Sequence, residues 1–377
     1  MQTRCEYLIT GAVGCATVNE RSLHLPGLLP GETGEYQALY ERRGHLEATD
    51  LHRIDSAPER IVSDCPYSGI CGGCDFDYVD EEHSALFKDA IVKANIEKAT
   101  GRDISDVMMA PLYASSSGYR SRCRIHVSMK DRRIGFLAKR SNELVEVGRC
   151  PMLTQRLNDI LADPRGLFTR AQSHLFSSGV NRKTGFVELS LFDADDKVLI
   201  AGEDGVKTVG PYRFHLSAGV FFQSNAVLLP RLFETVKRNV VGSRVMDLYS
   251  GVGTFSTILE GEGLEVVAVE RDRQCLSFAR RNAPSARFFT DDVALWSKKA
   301  RGGVDTIIVD PPRTGLGQAA HTIASWSAGR VIYVSCNSAT LANDLRAFDG
   351  YDIRSVQVID FYPGTGHEES VVVMDRR

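Results

Sequence analysis

Residue types able to do covalent or acid–base chemistry stand at the ends of apolar runs in the second half of this 377-residue chain. The run Arg330-Val331-Ile332-Tyr333-Val334-Ser335 is apolar and β-branched, reads as a buried strand, and ends on Cys336. Ligands of open α/β sheets sit outside the carboxyl ends of the strands, so a thiol there faces the crevice and is a candidate nucleophile. The structural alternative is an inert buried cysteine, the commoner fate of a free thiol. Its company favours chemistry. Asp310 closes another apolar run and opens Asp310-Pro311-Pro312-Arg313, where two prolines fix φ and stiffen the turn. His367-Glu368-Glu369 leads into the apolar strand Val371-Val372-Val373-Met374, and either carboxylate could serve as a general base if it reaches a substrate proton.

A second group of residues has the pattern of a nucleoside pocket. The strand Arg244–Leu248 runs into Tyr249-Ser250-Gly251-Val252-Gly253-Thr254, an Asp-x-x-x-Gly-x-Gly turn starting from Asp247 that lets backbone approach a ligand. Glu270 ends the next strand, about 20 residues past the glycines, where an acid binds ribose hydroxyls. Asp291 and Asp292 end a third strand, where an acid could read an adenine amino group or simply cap a helix. The third glycine of the dinucleotide fingerprint is missing, and the combination favours S-adenosylmethionine over a dinucleotide.

The third constellation is Cys65, Cys71 and Cys74, spaced C-x5-C-x2-C among glycines. Zinc and iron–sulfur clusters both require a fourth ligand. Cys150 is the first choice because Cys-Pro also marks the last ligand of some cluster motifs. Cys123 is the rival and His83 a weaker one; spacing alone leaves zinc and iron open.

The elements that must position these groups fall into three stretches. Residues 1–58 read as short strands punctuated by Pro-Gly, a small β-barrel-like unit. Residues 59–210 read as a central α/β domain carrying the cysteines, with a helix from Asp80 to Lys98 whose buried face would be Leu86, Ala90, Ile91, Ala94 and Ile96. A strand over Gly118–Met129 would turn Cys123, Ile125, Val127 and Met129 inward and Arg122 and Arg124 outward. Residues 211–377 alternate strand and helix, which implies a doubly wound, mostly parallel sheet. The class is therefore α/β with a Rossmann-like C-terminal domain. The chain is 43% hydrophobic and 25% charged, with net charge −3, so overall charge does not announce a nucleic-acid partner. Yet Arg120 to Arg140 holds eight Lys or Arg against Asp131, interleaved with His126 and Phe136, which suits phosphate contact with stacking. No apolar run reaches membrane-spanning length and no signal-peptide core is seen. Nine cysteines without an export signal point to the cytoplasm.

Gln223 in Phe222-Gln223-Ser224-Asn225, the turn from Asp247 to Phe255, Asp310-Pro311-Pro312-Arg313, Ser335-Cys336-Asn337 and His367-Glu368-Glu369 together resemble the RNA uracil-5-methyltransferase family. Order and spacing match over the C-terminal half. The cysteines Cys65, Cys71, Cys74 and Cys150 resemble its iron–sulfur branch acting on 23S ribosomal RNA, and the segment from Leu25 to Glu32 resembles a reduced form of its RNA-binding barrel. The resemblance implies a 4Fe–4S cluster on those four cysteines and S-adenosylmethionine held by Gln223, Tyr249, Thr254, Glu270, Asp292 and Asp310. It assigns Cys336 as the thiolate that adds to uracil C6 and Glu369 as the base for the C5 proton, with Glu368 as fallback. Arg313 would stabilise charge developing on the uracil oxygens. Ser250 stands where the family often has cysteine and Gly364 where it often has histidine, which leaves the target open. The expected partner is 23S ribosomal RNA, with transfer RNA as alternative and a monomer as default. Cytosine C5 methylation is disfavoured because no proline precedes Cys336. A non-catalytic iron–sulfur RNA-binding protein on the same fold is disfavoured by the pairing of Cys336 with Glu369.

Overall fold

The computed structural model describes residues 1–178, 185–300 and 303–377. Its largest sheet has eight strands among the described residues, ordered Arg287–Thr290, Glu265–Glu270, Arg244–Leu248, Thr306–Val309, Arg330–Ser335, Ser370–Arg376, Tyr351–Ile359 and Met108–Leu112. The pairings are parallel except on the two sides of Ser370–Arg376, which runs antiparallel to both neighbours. The central strands are mostly apolar because both faces are covered. On one face, helices Leu229–Asn239, Thr254–Glu260 and Arg273–Asn282 pack Leu232, Phe255 and Phe278 against Val245, Ile308 and Ile332. On the other, helices Glu81–Thr100, Ala319–Ser325 and Ser338–Leu345 pack Val92, Ile323 and Leu341 against Ile307, Val331 and Val372. This is a layered α/β fold with a parallel-rich sheet.

The stretch 59–210 does not stay to itself. Strand Met108–Leu112 pairs in parallel with Tyr351–Ile359, extending the large sheet, and helix Glu81–Thr100 covers it. The rest of that stretch forms a five-stranded antiparallel sheet, Leu144–Glu146, Arg133–Leu137, Arg122–Ser128, Val187–Asp193 and Val198–Ile200. Residues 1–58 form a three-stranded and a five-stranded sheet around Cys5, Ala16, Leu23, Leu25, Leu28 and Tyr36. Buried Glu32 accepts from the Leu29 and Ala57 amides and from Arg60, which fastens the following segment to this unit.

Two expectations about local burial need correction. In helix Glu81–Thr100 the inward residues are Ser84, Ala85, Lys88, Ile91, Val92 and Ile96, while Leu86, Ala90 and Ala94 face out. A fully buried lysine sets that phase: Lys88 Nζ donates to Asp360 Oδ1 at 2.6 Å and Ser84 Oγ to Asp360 Oδ2 at 2.9 Å. In strand Arg122–Ser128 the alternation fails because His126 and Ser128 are buried along with Ile125 and Val127.

Candidate active site

The carboxyl ends of the parallel strands converge on one edge of the large sheet. Strand Arg330–Ser335 pairs antiparallel with Ser370–Arg376 in the register Ser335 to Ser370, so the next residues outward are Cys336 and Glu369. Glu369 and Asp310 both act electrostatically on the Cys336 thiol, which puts the three groups close together. Asp310 leaves the adjacent strand, its amide donating to Leu248 O at 3.3 Å. Thiol, base candidate and strand-end acid therefore meet at this edge.

Asn337 caps helix Ser338–Leu345, accepting from the Ala339 and Thr340 amides, and its Nδ2 donates to Arg313 O at 3.2 Å. Arg313 Nη2 lies 2.9 Å from His367 Nε2, where it donates to the imidazole. Burial and then Arg313 lower the His367 pKa to about 4, so the ring is neutral at pH 7 and able to accept. Glu368 is spoken for: its Oε1 accepts the Ser338 amide at 2.9 Å and also the Ser338 hydroxyl, a carboxylate at a helix N-terminus. Glu369 is differently placed. Both are buried with one oxygen lacking a hydrogen-bond partner among the described residues, Oε2 in Glu368 and Oε1 in Glu369, but Glu369 makes no bond to a helix N-terminus. Burial and then Asp310 push its pKa well up, while a hydrogen bond from Gln223 pulls the other way. Gln223 is itself oriented by the Tyr362 hydroxyl, which donates to Oε1 at 3.0 Å. The Cys336 thiol is pushed up to about 12 by burial, then by Glu369 and Asp310, against Arg313.

The turn after Arg244–Leu248 is strained in the way ligand clamps are: Tyr249 holds φ 64°, a left-handed value costly for a side chain. Gly253 holds φ 79°, which favours glycine, and a Cβ there would crowd the Ala279 Cα and Cβ at 3.2 Å. Thr254 opens the following helix. Asp247 Oδ2 accepts the Ser256 amide and hydroxyl at 2.9 and 2.6 Å, while the equally buried Oδ1 has no partner. Glu270 accepts the Gly251 amide at 3.0 Å and the Asp272 amide at 2.7 Å, which fixes its carboxylate at the strand end. Asp292 caps the short helix Val293–Trp296 through Oδ1, leaving Oδ2 near Arg271 at 3.8 Å. Burial raises Asp247 to about 6 and Asp310 to about 7, the latter also through Asp247. Acids with raised pKa values, one of them with an orphaned buried oxygen, are unfavourable alone and suit a cationic ligand. The sulfonium and ammonium groups of the donor expected from the sequence fit that environment.

Cys65, Cys71, Cys74 and Cys150 line a single cavity with Arg120, Phe136 and Met152. Asn158 clamps the Cys150 backbone from both sides, accepting its amide at 2.8 Å and donating to its carbonyl at 3.0 Å. Cys123 lines the neighbouring groove instead, and His83 is engaged with Asp80 at 2.7 Å. Among the described residues, no three His, Cys, Asp or Glu side chains stand close enough to hold one metal ion. Tetrahedral zinc needs thiolate sulfurs about 3.8 Å apart. Four thiols lining one cavity are a donor set of the kind that zinc or an iron–sulfur cluster would take. From this cavity a groove of about 360 Å³, lined by Arg120, Arg122, Arg124, Phe136, Phe221 and Tyr362, runs to His367.

Sequence reasoning missed several supports. Asp344 accepts the Leu316 and Gly317 amides at 2.6 and 3.0 Å and the Tyr333 hydroxyl at 2.7 Å, tying down the chain after Arg313. Asn95 donates to the Thr10 and Ser338 hydroxyls at 2.9 and 2.7 Å, bridging the N-terminal unit to the helix behind Cys336. An aspartate or asparagine in a helical stretch carries no signal of such a distant partner.

Comparison with known proteins adds to this geometry. A family model described as tRNA (Uracil-5-)-methyltransferase matches residues 293–377. The 23S rRNA (uracil(1939)-C(5))-methyltransferase of Alkalilimnicola ehrlichii is 29% identical, over 98% of this chain and 96% of its own length. The protein of the same description from Pseudomonas putida is 28% identical over 98% and 92%. Among solved structures, the Pyrococcus abyssi tRNA (uracil-54, C5)-methyltransferase in complex with S-adenosyl-L-homocysteine superposes with TM-score 0.75 at 21% identity, covering 99% of both chains. At that identity what is shared is the fold.

Proposed function

We propose, from the premise that this chain belongs to the RNA uracil-5-methyltransferase family, that it methylates C5 of a uridine in 23S ribosomal RNA with S-adenosylmethionine as donor. Relatives described as 23S rRNA methyltransferases align over nearly their whole length with nearly all of this chain, which supports that RNA as substrate. The observation that supports the chemistry is the pairing of Ser335 with Ser370, which leaves Cys336 and Glu369 just beyond the last pair, where Glu369 and Asp310 both act on the thiol.

Uracil C5 is a poor nucleophile. Addition of the Cys336 thiolate to C6 makes the base an enolate, with Arg313 near enough to His367 and the Cys336 turn to offset charge on the uracil oxygens. S-adenosylmethionine supplies an electrophilic methyl on a cationic sulfur, which C5 takes. Glu369 then removes the C5 proton, the C5–C6 double bond re-forms, and the bond from C6 to Cys336 sulfur breaks. Gln223 orients Glu369, while Glu368 is committed to Ser338, which supports Glu369 over Glu368 as base. Burial favours the neutral thiol and neutral carboxyls, so their ionised forms need a positive charge beside them. Tyr249, Thr254, Glu270, Asp292 and Asp310 would hold the donor. Cys65, Cys71, Cys74 and Cys150 would hold the 4Fe–4S cluster, which would tie two loops together beside the arginine-lined groove. The target base must leave its stack to enter this edge of the sheet.

The test is methyl transfer by the iron-loaded protein from labelled S-adenosylmethionine to unmodified 23S rRNA and, separately, to transfer RNA, followed by nucleoside analysis. The expected result is 5-methyluridine in 23S rRNA with the wild type and none with Cys336→Ala. Transfer confined to transfer RNA would move the substrate, and product formed by Cys336→Ala would reject the nucleophile.

A further inference from the structure

The segment carrying Glu369 is held from outside the methyltransferase sheet. Asp75, next to Cys74, accepts the Gly366 amide through Oδ1 at 2.7 Å. The Asp75 and Phe76 amides both donate to Gly364 O, at 3.2 and 3.0 Å. On its other side Gly366 lies against the N-terminal unit, where an added Cβ would stand 2.3 Å from Gly11 O, so only glycine fits. Between Ile359 and Ser370 the chain has no helix or strand of its own. Its course is therefore set by these contacts and by Asp360 and Tyr362, which Lys88 holds. Cys336, by contrast, is mounted on a central strand and a capped helix.

We propose that Asp75 is a positioning residue for Glu369, linking the cysteine loop to the proton-removal step; the proposal rests on the reading of Glu369 as the base. In that step the C5 proton passes to the Glu369 carboxylate, the C5–H electron pair forms the C5–C6 double bond, and the C6–S bond breaks to return the Cys336 thiolate. A base must stand within hydrogen-bond reach of its proton, roughly 3 Å, and small misplacements are costly. Thiol addition and methyl capture use Cys336 and are spared. Loss of the Asp75 contact thus slows release of the methylated base from Cys336 while leaving adduct formation unchanged, a split that general loss of structure would not produce.

The experiment uses the full chain with iron and sulfide content measured for each variant, and follows formation and decay of the denaturant-stable adduct between protein and methylated 23S rRNA fragment. Asp75→Ala is expected to form adduct at the wild-type rate and release it about tenfold more slowly, the order expected for a displaced base. Asp75→Asn keeps an acceptor oxygen and is expected to restore release. Glu369→Gln provides the reference, a persistent adduct. Wild-type release by Asp75→Ala, slow release confined to its iron-depleted fraction, or Asn no better than Ala each overturn the proposal. Should Asp75→Ala not yield soluble protein, Asp75→Glu, which keeps the charge but displaces the acceptor oxygen, carries the same readout, slow release supporting the positioning role and wild-type release overturning it. If Glu369→Gln holds no adduct while the wild type methylates, the base assignment is wrong and the positioning role falls with it.

Discussion

At the scale of single residues, the candidate site is a concentration of acids that the fold would be more stable without. Asp310 is raised to about 7 by burial and by Asp247, against an ordinary value of 3.8. An acid whose folded pKa exceeds its unfolded one binds the proton more tightly when folded. Its contribution to stability is present below the unfolded value and is lost as pH rises through the folded one. Asp310→Asn removes that loss. The variant is expected to match the wild type near pH 4 and to exceed it above pH 7. The full shift would correspond to roughly 4 kcal/mol, and partial solvent contact of Asp310 reduces the expected gain to about 1–2 kcal/mol. Urea unfolding at the two pH values measures it; an equal difference at both would show that packing, and not ionisation, is responsible. The same variant should bind S-adenosylmethionine at least about tenfold more weakly in calorimetric titration, since a cation loses a buried carboxylate partner. Stability gained where function is lost is the expected trade at a site built for charge.

At the scale of elements, the helix Glu81–Thr100 shows what sequence periodicity can and cannot supply. Its limits are legible: Asp80 caps one end by accepting the His83 amide, and Gly101 ends it at φ 67°. Its facing is not, because the residue that fixes it is Lys88, a type read as solvent-exposed, whose partner Asp360 lies 272 residues away. Strand Met108–Leu112 is hidden for the same reason, its partner being Tyr351–Ile359. By contrast the strand ends bearing Cys336, Asp310 and Glu270 are legible, since apolar runs and the polar residues that close them are local patterns. What the register then brings together, Cys336 and Glu369 just beyond the last pair, depends on pairing between separate segments that no single run encodes. The buried pair has a consequence for stability. Lys88→Met would leave the Asp360 carboxylate without its cation, an uncompensated buried charge costing about 3–5 kcal/mol. The chemical-denaturation midpoint should fall accordingly, and Asp360→Asn added to Lys88→Met should recover a large part by neutralising the stranded group. A double variant no more stable than Lys88→Met would show that the helix is held by its apolar contacts alone.

At the scale of the whole molecule, the chain carries net charge −3, so the proposed RNA substrate would have to be attracted locally. The cations from Arg120 to Arg140 are not equivalent. Arg120 lies beside the cysteines and donates to Gly73 O, and Arg133 donates to Leu144 O at 2.6 Å, so both have structural work. Arg124, Lys130 and Arg140 are exposed, Arg124 with only a loose contact to Glu188 at 3.6 Å. Arg124 lines the groove that ends at His367, and Arg140 lines an adjoining hollow with His126 and Phe136. These three are among the exposed cations of this stretch available to phosphates, two of them along a path into the site. Each phosphate neutralised in a single strand contributes about 0.7 to the slope of log affinity against log salt. The triple alanine variant is therefore expected to bind the RNA fragment more weakly at low salt, with a slope reduced by up to about 2, and to approach wild-type affinity as salt rises. Its turnover at saturating RNA should stay near wild type, because none of the three touches Cys336, Glu369 or the acids of the donor pocket. An unchanged slope would place the RNA on another face and detach the groove from the path to Cys336. A reduced slope with unchanged turnover would mean that a chain of negative total charge recruits its substrate through one basic face, which also delivers the base to the sheet edge where the thiol waits.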